Sequence, residues 1–337
     1  MFSRLPAAAL CRSFSRRVNS RGLATASNFV NIVEVGPRDG LQNEPSVIPP
    51  EVKIELINRL GRAGMKTIEA GSFVSPKWVP QMAGTAEVVS KMEKLPDAKY
   101  QVLIPNQRGL NNLLNLLDSS PTPPVDEIAI FTAATDAFAK ANTNCTIAES
   151  LERLAPVARA ALDRGLPVRG YVSVVITCPY SGKVDYKKVR DVSKALLDMG
   201  CYEISLGDTV GTGTPTSVRE MIEVVTGAVS VDKLAFHDTF GMGVANAIAA
   251  LSCGIRTLDA SIAGLGGCPY SPGATGNVAT EDVLHSLTDS EYTTAGDLDA
   301  LVETGFWISE KLGRANESRA GKAYRARKLR DQPKSKL

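Results

Sequence analysis

Two adjacent side chains of opposite charge, Arg38 and Asp39, give the clearest chemical signal in the sequence. They follow a strand-like run, 30–35, that stops at Gly36-Pro37. In parallel α/β folds, chemistry takes place at the carboxyl ends of the strands. There an arginine can stabilise developing negative charge without losing its proton, and an aspartate can bind a divalent cation. Taken alone, the pair also fits a surface ion pair at a turn.

Polar residues recur at the ends of the other predicted strands. They include Glu69, Ser72, Ser205, Asp208, Thr209, His237 and Asn277, with Asn142 in the long loop after the fourth strand and Glu281 just beyond Asn277. Asp39, His237 and Asn277 offer a carboxylate, an imidazole and an amide oxygen. This donor set suits Mg²⁺ or Mn²⁺ and leaves positions for substrate oxygens. A core histidine with satisfied hydrogen bonds is the alternative for His237.

The segment 263–277 is rich in glycine, with five glycines around a single cysteine, Cys268. Glycines allow a loop to move over a site, and a cysteine on such a loop could act as a mobile general acid or base. An ordinary glycine-rich connection with an incidental thiol is the alternative. The spacing of the glycines does not match a dinucleotide-binding fingerprint.

Strand-like and helix-like runs alternate along the chain. The strands are predicted at 30–35, 65–70, 100–104, 126–131, 168–175, 202–206, 233–237 and 256–261, and the helices at 50–62, 84–94, 108–118, 147–163, 185–199, 215–228 and 243–252. Gly64, Gly165, Gly200 and Gly254 each lie just before a predicted strand, as a glycine that ends a helix does. About eight such units predict a (β/α)8 TIM barrel of the α/β class. A doubly wound open sheet is less favoured, because the polar clusters follow nearly every strand instead of one switch point.

The two ends of the chain differ from its centre. Residues 1–29 contain five arginines and no acidic residue, a composition typical of a mitochondrial targeting segment; a disordered basic tail is the alternative. Ser335-Lys336-Leu337 matches a peroxisomal address. We therefore expect a targeting segment at 1–27, a catalytic barrel at 28–292, a helical extension at 293–327 and a tail at 328–337.

Composition excludes several classes of protein. The net charge of +2 gives no indication of nucleic-acid binding. No apolar run approaches the roughly 20 residues of a membrane span. The six cysteines form no Cys-x-x-Cys pair, which argues against zinc and against a disulfide framework.

Four longer motifs resemble the 3-hydroxy-3-methylglutaryl-CoA lyase family. They are GPRDGLQNE (36–44), SFVSPKWVPQM (72–82), GCYEISLGDT (200–209) and AGLGGCPY (263–270), and the resemblance runs from about residue 28 to about 312. It implies a homodimeric barrel that uses Mg²⁺ or Mn²⁺ to cleave 3-hydroxy-3-methylglutaryl-CoA. The products would be acetyl-CoA and acetoacetate, in leucine breakdown and ketone-body formation. The implied location is the mitochondrial matrix, with peroxisomes as a second site.

The resemblance also implies a role for each matched residue. Arg38, Asp39 and Cys268 would carry the chemistry: Arg38 would offset charge on an enolate oxygen, and Cys268 would give a proton to the carbanion. Asp39, His237 and Asn277 would bind the metal. The supporting acids would be Glu69, Asp208 and Glu281, and the substrate-binding residues Arg38, Gln42, Ser72, Asn142, Ser205 and Thr209.

One departure from the family falls at the implied metal site. The family's seventh strand carries His-x-His-Asp-Thr, whereas here 233–239 reads KLAFHDT, two residues shorter. Counted from His237, the two-residue period of a strand puts Ala235 where the first histidine would lie. The implied loss of a metal ligand and general base predicts weaker metal binding and a rate lower by a factor of order 10²–10⁴. The missing pair corresponds to two codons, so a misplaced splice junction and a genuine deletion both stay open.

Three functions remain compatible with the sequence. The favoured one is an active carbon–carbon lyase, because every other implied site residue is present. The second is a non-catalytic barrel that descends from the lyase and binds CoA thioesters. The third is a related acyl-CoA condensing synthase, for which Cys268 would be dispensable.

Overall fold

Eight parallel strands close into a barrel. The computed structural model describes residues 28–239, 241–267 and 276–331, so the predicted targeting segment, Cys268 and the carboxyl-terminal tripeptide lie outside the described residues. The barrel strands, called first to eighth in chain order, are Phe29–Glu34, Thr67–Ser72, Lys99–Leu103, Glu127–Ala133, Val168–Ser173, Glu203–Asp208, Leu234–Asp238 and Thr257–Ala260. Each pairs with the next, and the eighth pairs with the first at Asn31↔Thr257. The predicted TIM barrel is confirmed.

Helices surround this barrel. They are Pro50–Arg62, Thr85–Lys91, Gln107–Ser119, Asp136–Thr143, Ile147–Asp163, Tyr186–Asp198, Pro215–Val225, Gly243–Ser252, Thr280–Leu287, Leu298–Leu312 and Arg319–Asp331. Each of the seven predicted helices overlaps one of these, and the largest difference at an end is three residues. Gly64, Gly165, Gly200 and Gly254, predicted to end helices, have φ between 74° and 102°, the left-handed conformation that glycine adopts at a helix end.

The pleat of the strands separates an apolar outer layer from a polar interior. On the seventh strand Phe236 is 1% exposed and belongs to the core between barrel and helices. Since successive side chains of a strand face opposite ways, Ala235 and His237 face the interior. The interior also holds Gln101, Arg169 and Asp259, which are buried. Side chains inside the barrel therefore need polar partners there.

The predicted helical extension packs closely against the barrel. Leu298–Leu312 lies against the first helix, with the Arg59 guanidinium 4.5 Å from the centre of the Trp307 ring. The last helix, Arg319–Asp331, continues past the boundary expected at residue 327. In the ranges that the structure describes, no helix is both long and apolar enough to cross a membrane.

Candidate active site

A tight turn after the first strand presents Arg38 and Asp39. Residues Gly36–Gly40 form one turn of π-helix directly beyond the strand. A Cβ at Gly36 would lie 2.6 Å from Oε1 of Glu34, closer than real Cβ atoms approach, so a larger residue here would displace the Glu34 carboxylate. The Gly36 amide donates to that same carboxylate oxygen at 2.7 Å. Glu34 thereby fixes where the turn begins.

Two carboxylates hold Arg38 in place. Its Nε donates to Glu69 Oε2 at 2.7 Å, and its Nη1 donates to Asp39 Oδ1 at 2.6 Å. Burial alone would lower the pKa of Arg38, but the charges of Glu69 and Asp39 outweigh it and raise that pKa. The guanidinium also lies 5.6 Å from the centre of the Tyr171 ring. The result is a permanent, almost buried positive charge at the carboxyl end of the barrel.

Asp39 and Asn277 meet at this end although 238 residues separate them. Asn277 Nδ2 donates to Asp39 Oδ2 at 2.9 Å. Burial tends to raise the pKa of Asp39, but Arg38 and His237 act against it and the pKa is lowered. The other atom of the amide, Asn277 Oδ1, is buried without a hydrogen-bond partner. A buried acceptor of this kind calls for a donor or a cation.

His237 lies on the seventh strand with one ring nitrogen toward a buried carboxylate. Its Nδ1 is 3.5 Å from Asp259 Oδ2. Burial would lower the pKa of His237, but Asp259 and the charge of Asp39 raise it. Asp259 also accepts from Arg169 Nη2 at 2.8 Å and from Ser205 Oγ at 2.6 Å. Burial favours the neutral form of Asp259, yet Arg169 and His237 hold its pKa well below the ordinary range.

The donor set fits a divalent cation with one imidazole fewer than the family pattern. Asp39, His237 and the unpartnered oxygen of Asn277 are hard or intermediate donors of the kind that Mg²⁺ and Mn²⁺ accept. Among the described residues, no group of three or more His, Cys, Asp or Glu side chains is arranged to hold a metal ion. Ala235 is fully buried beside Ser205 and Thr257, at the inward position that the sequence pattern predicted for the missing histidine.

Two further acids fix the start of the glycine-rich loop. Glu34 accepts from the Ile262 amide at 2.9 Å and from Thr280 Oγ1 at 2.6 Å. Glu281 accepts from the Ala263 amide at 2.9 Å, where the backbone has φ 57°. Burial raises the pKa of Glu34 to about 7 and that of Glu281 to about 8. Glu281 thus supports the loop, whereas Glu69 contacts Arg38 directly.

The remaining predicted residues differ in their surroundings. Ser72 is buried, donating to the Leu103 carbonyl at 3.2 Å. Asp208 accepts from the Gly213 amide at 2.7 Å and shapes the loop after the sixth strand, while burial raises its pKa. Thr209 Oγ1 accepts from the Val174 amide at 2.9 Å.

The three other residues predicted to bind substrate lie in different environments. The hydroxyl of Ser205 is fully buried and donates to Asp259, so it faces the interior network. Asn142 was expected in a long loop but lies exposed on the helix Asp136–Thr143. Thr135 begins that helix, its hydroxyl accepting from the Phe138 amide at 3.3 Å. Gln42 is half-buried.

Sequence reasoning missed the interior network of Arg169, Tyr171 and Asp259. Arg169 Nη1 donates to Tyr171 Oη at 2.9 Å, and its Nη2 donates to Asp259. Both charged residues lie within predicted strands. A charged residue inside a buried strand is itself a signal, since such residues are almost never fully buried unless paired.

A cleft opens beside the turn that carries Asp39. It has a volume of about 310 Å³, and its lining includes Gly40, Asn43, Gly267 and Arg314. Asn43 Nδ2 donates to the Gly267 carbonyl at 2.5 Å, and Arg314 pairs with Glu44 at 2.5 Å. The cleft gives solvent access next to the turn and brings one arginine to its wall.

Comparison with known proteins finds consistent similarity. Residues 29–308 match the HMGL-like family. The chain is 48% identical over 304 residues to the hydroxymethylglutaryl-CoA lyase of Pseudomonas mevalonii, covering 90% of this chain and 99% of that protein. It is 50% identical over 296 residues to the mitochondrial hydroxymethylglutaryl-CoA lyase of Gallus gallus, covering 87% and 97%. The crystal structure of hydroxymethylglutaryl-CoA lyase from Pseudomonas aeruginosa aligns with TM-score 0.85 and 49% identity over 90% of this chain and 99% of that one.

Proposed function

This chain belongs to the HMGL-like family, and from that membership we propose that it cleaves 3-hydroxy-3-methylglutaryl-CoA to acetyl-CoA and acetoacetate. The single observation that carries the proposal is the group formed by Arg38, Asp39, Glu69 and Asn277 at the carboxyl end of the barrel. The relatives are named as lyases for this reaction, and they match the chain over nearly their whole length. A non-catalytic thioester-binding barrel is kept only as an outcome of the test.

Arg38 stabilises the charge that develops on the thioester oxygen. When the bond between C2 and C3 of the substrate breaks, its electron pair becomes an enolate of acetyl-CoA. A fixed guanidinium near that oxygen stabilises the enolate more than the neutral thioester, and it needs no reorganisation during the reaction. Glu69 and Asp39 hold the guanidinium by two of its nitrogens. This support keeps Arg38 in one orientation.

Asp39, His237 and Asn277 would hold the divalent cation, Mg²⁺ or Mn²⁺. Such a cation, when bound, makes the C3 hydroxyl of the substrate more acidic. The hydroxyl proton must still pass to an acceptor. Ala235, at the position of the family's first histidine, cannot take it, so the proton passes to solvent water, a weaker base than an imidazole. We therefore propose that the chain turns over more slowly than its relatives.

Cys268 supplies a proton to the enolate carbon, which yields acetyl-CoA. This role rests on its place in the AGLGGCPY motif. Glu34 and Glu281 support it indirectly, because they anchor the loop at Ile262 and Ala263.

The proposed location is the mitochondrial matrix, with peroxisomes as a second site. The arginine-rich start and the mitochondrial relative from Gallus gallus support the first. Ser335-Lys336-Leu337 supports the second. We also propose a homodimer and no nucleic-acid or membrane partner.

The experiment is a cleavage assay with the purified chain. Acetoacetate release from 3-hydroxy-3-methylglutaryl-CoA is followed with Mg²⁺, with Mn²⁺ and after chelation. We expect cleavage that requires the added metal and disappears in Cys268→Ala. Binding of the thioester without any product at long incubation would reject the lyase and favour the non-catalytic barrel.

A further inference from the structure

We propose that Asp259 is a positioning residue for His237: its carboxylate fixes the ring with a proton on Nδ1 and so leaves Nε2 free to bind a metal ion. The inference rests on the proposed function, because it assigns a role within the same site. The supporting observation is that Nδ1, and not Nε2, is the ring nitrogen 3.5 Å from Asp259 Oδ2. A neutral histidine carries one ring proton, and the partner of one nitrogen decides where that proton lies.

The surroundings of Asp259 make its carboxylate a fixed acceptor. The side chain is fully buried, and its two oxygens have different partners. Oδ1 accepts from Arg169 Nη2 at 2.8 Å, while Oδ2 accepts from Ser205 Oγ at 2.6 Å. Oδ2 has a second lone pair, and His237 Nδ1 is the group that faces it. An ionised carboxylate can only accept hydrogen bonds, so this 3.5 Å contact favours the neutral tautomer of His237 that carries its proton on Nδ1.

The small side chain at position 235 makes this arrangement possible. Ala235 pairs with Ser205 on one side and with Thr257 on the other. The Ser205–Asp259 hydrogen bond therefore runs from the sixth strand to the eighth across the inward face of Ala235. A larger side chain at this position would enter the path of that bond. In this chain the hydrogen bonds of Ser205 and Asp259 therefore pass over the small side chain of Ala235 to reach His237.

Arg169 makes Asp259→Asn a decisive substitution. A guanidinium has donors only, so Arg169 requires an acceptor, and the amide oxygen of the substituted side chain must turn toward it. The NH₂ group then takes the place of Oδ2 and faces His237. It donates to Nδ1 and moves the ring proton to Nε2. The shape of the side chain is almost unchanged while the preferred tautomer is reversed.

The test reads the tautomer directly by NMR of ¹⁵N-histidine-labelled protein. The chain has only two histidines, and His285→Gln identifies the second signal. Spectra of metal-free protein are recorded at a pH where the ring is neutral. Mn²⁺ affinity is measured separately by electron paramagnetic resonance. The matched control is Glu203→Gln, because Glu203 pairs with the same guanidinium at 2.8 Å but on its Nε.

We expect the ring proton of His237 on Nδ1 in the unaltered chain and on Nε2 in Asp259→Asn. The Asp259→Asn chain should bind Mn²⁺ roughly 10- to 100-fold more weakly than the unaltered chain. Glu203→Gln should retain both the tautomer and the affinity of the unaltered chain. Nε2–H in the unaltered chain would overturn the inference even if Asp259→Asn fails to fold. An unchanged tautomer in Asp259→Asn would overturn it as well. A chain with the expected tautomers and Mn²⁺ affinities but no cleavage would reject the proposed function and leave the inference standing.

Discussion

An imidazole on the inward face of the seventh strand should supply the general base whose absence we propose as the cause of slow turnover in this chain. The change is an insertion of Val-His between Ala235 and Phe236. Two residues are one full repeat of the pleat, so Phe236, His237 and the strand end keep their faces. The new histidine takes the inward position that Ala235 holds now. The new valine takes the outward position of Leu234, which is 1% exposed in the core.

The Val-His insertion should raise the rate of cleavage and lower the stability of the fold. A positioned general base contributes a factor of 10²–10⁴, about 3 to 5 kcal/mol of transition-state stabilisation. The ring must displace the 2.6 Å hydrogen bond from Ser205 to Asp259. A hydrogen bond to a charged group contributes about 1.5–3 kcal/mol. We therefore expect kcat to rise by about 10²–10⁴ while the free energy of unfolding falls by up to about 3 kcal/mol.

The assay compares three chains under one set of conditions with saturating Mg²⁺. They are the unaltered chain, the Val-His insertion and a Val-Ala insertion. The Val-Ala insertion shifts the strand identically but adds no imidazole. Acetoacetate release gives kcat, and urea unfolding gives stability. The reasoning is refuted if the unaltered chain is as fast as the Val-His chain, or if Val-Ala accelerates cleavage as much as Val-His does.

Two other predictions concern Arg38 and the buried acids. Arg38→Lys should lower kcat by about 10²-fold or more, with a smaller effect on KM. A lysine cannot pair with both Glu69 and Asp39 and also stabilise the enolate. Steady-state kinetics measure both constants. Burial raises the pKa of Glu281 to about 8. The stabilising contribution of its protonated form is complete below the ordinary pKa of a glutamate and is lost as pH rises through about 8. Over that range the free energy of unfolding should fall by about 1.4 kcal/mol per pH unit. The thermal midpoint should therefore fall between about pH 5 and pH 8, and fall less in Glu281→Gln.

Each of these has a result that contradicts it. An Arg38→Lys chain with unchanged kcat would show that the guanidinium does not stabilise the transition state. For the pH dependence, the exposed residue Glu152 provides the control substitution Glu152→Gln. If Glu281→Gln keeps the same fall in thermal midpoint as that control, Glu281 is not the group whose ionisation destabilises the fold.

The barrel was predictable because its strands are short buried runs between amphipathic helices with glycine at their ends. Gly64 and Gly200 marked two of these boundaries correctly, with φ of 90° and 102°. The turn at Arg38 and Asp39 was predictable for a related reason, since Gly36-Pro37 stops the strand. Local sequence was sufficient in each case.

The partners of the buried charges were not predictable, because they come from distant parts of the chain. Glu34 looks like an ordinary charge before a turn, yet Thr280, 246 residues away, donates to it at 2.6 Å. Asp259 similarly meets Arg169 from 90 residues away. Asn142 was misplaced for another reason, because the helix start at Thr135 was not recognised. Contacts of long sequence separation depend on the closure of the barrel, which a residue-by-residue pattern does not contain.

The alternation of faces on the seventh strand has a consequence for how this chain can lose activity without losing its shape. Loss of one residue would turn Phe236 into the polar interior and His237 toward the helices, and the protein would be expected to misfold. With a strand two residues shorter than the family pattern, Phe236 still lies in the core at 1% exposure. Selection for solubility and correct folding therefore does not act against such a change. A protein that lacks such a site residue would therefore show a normal expression level and a normal melting temperature, although its catalysis is impaired.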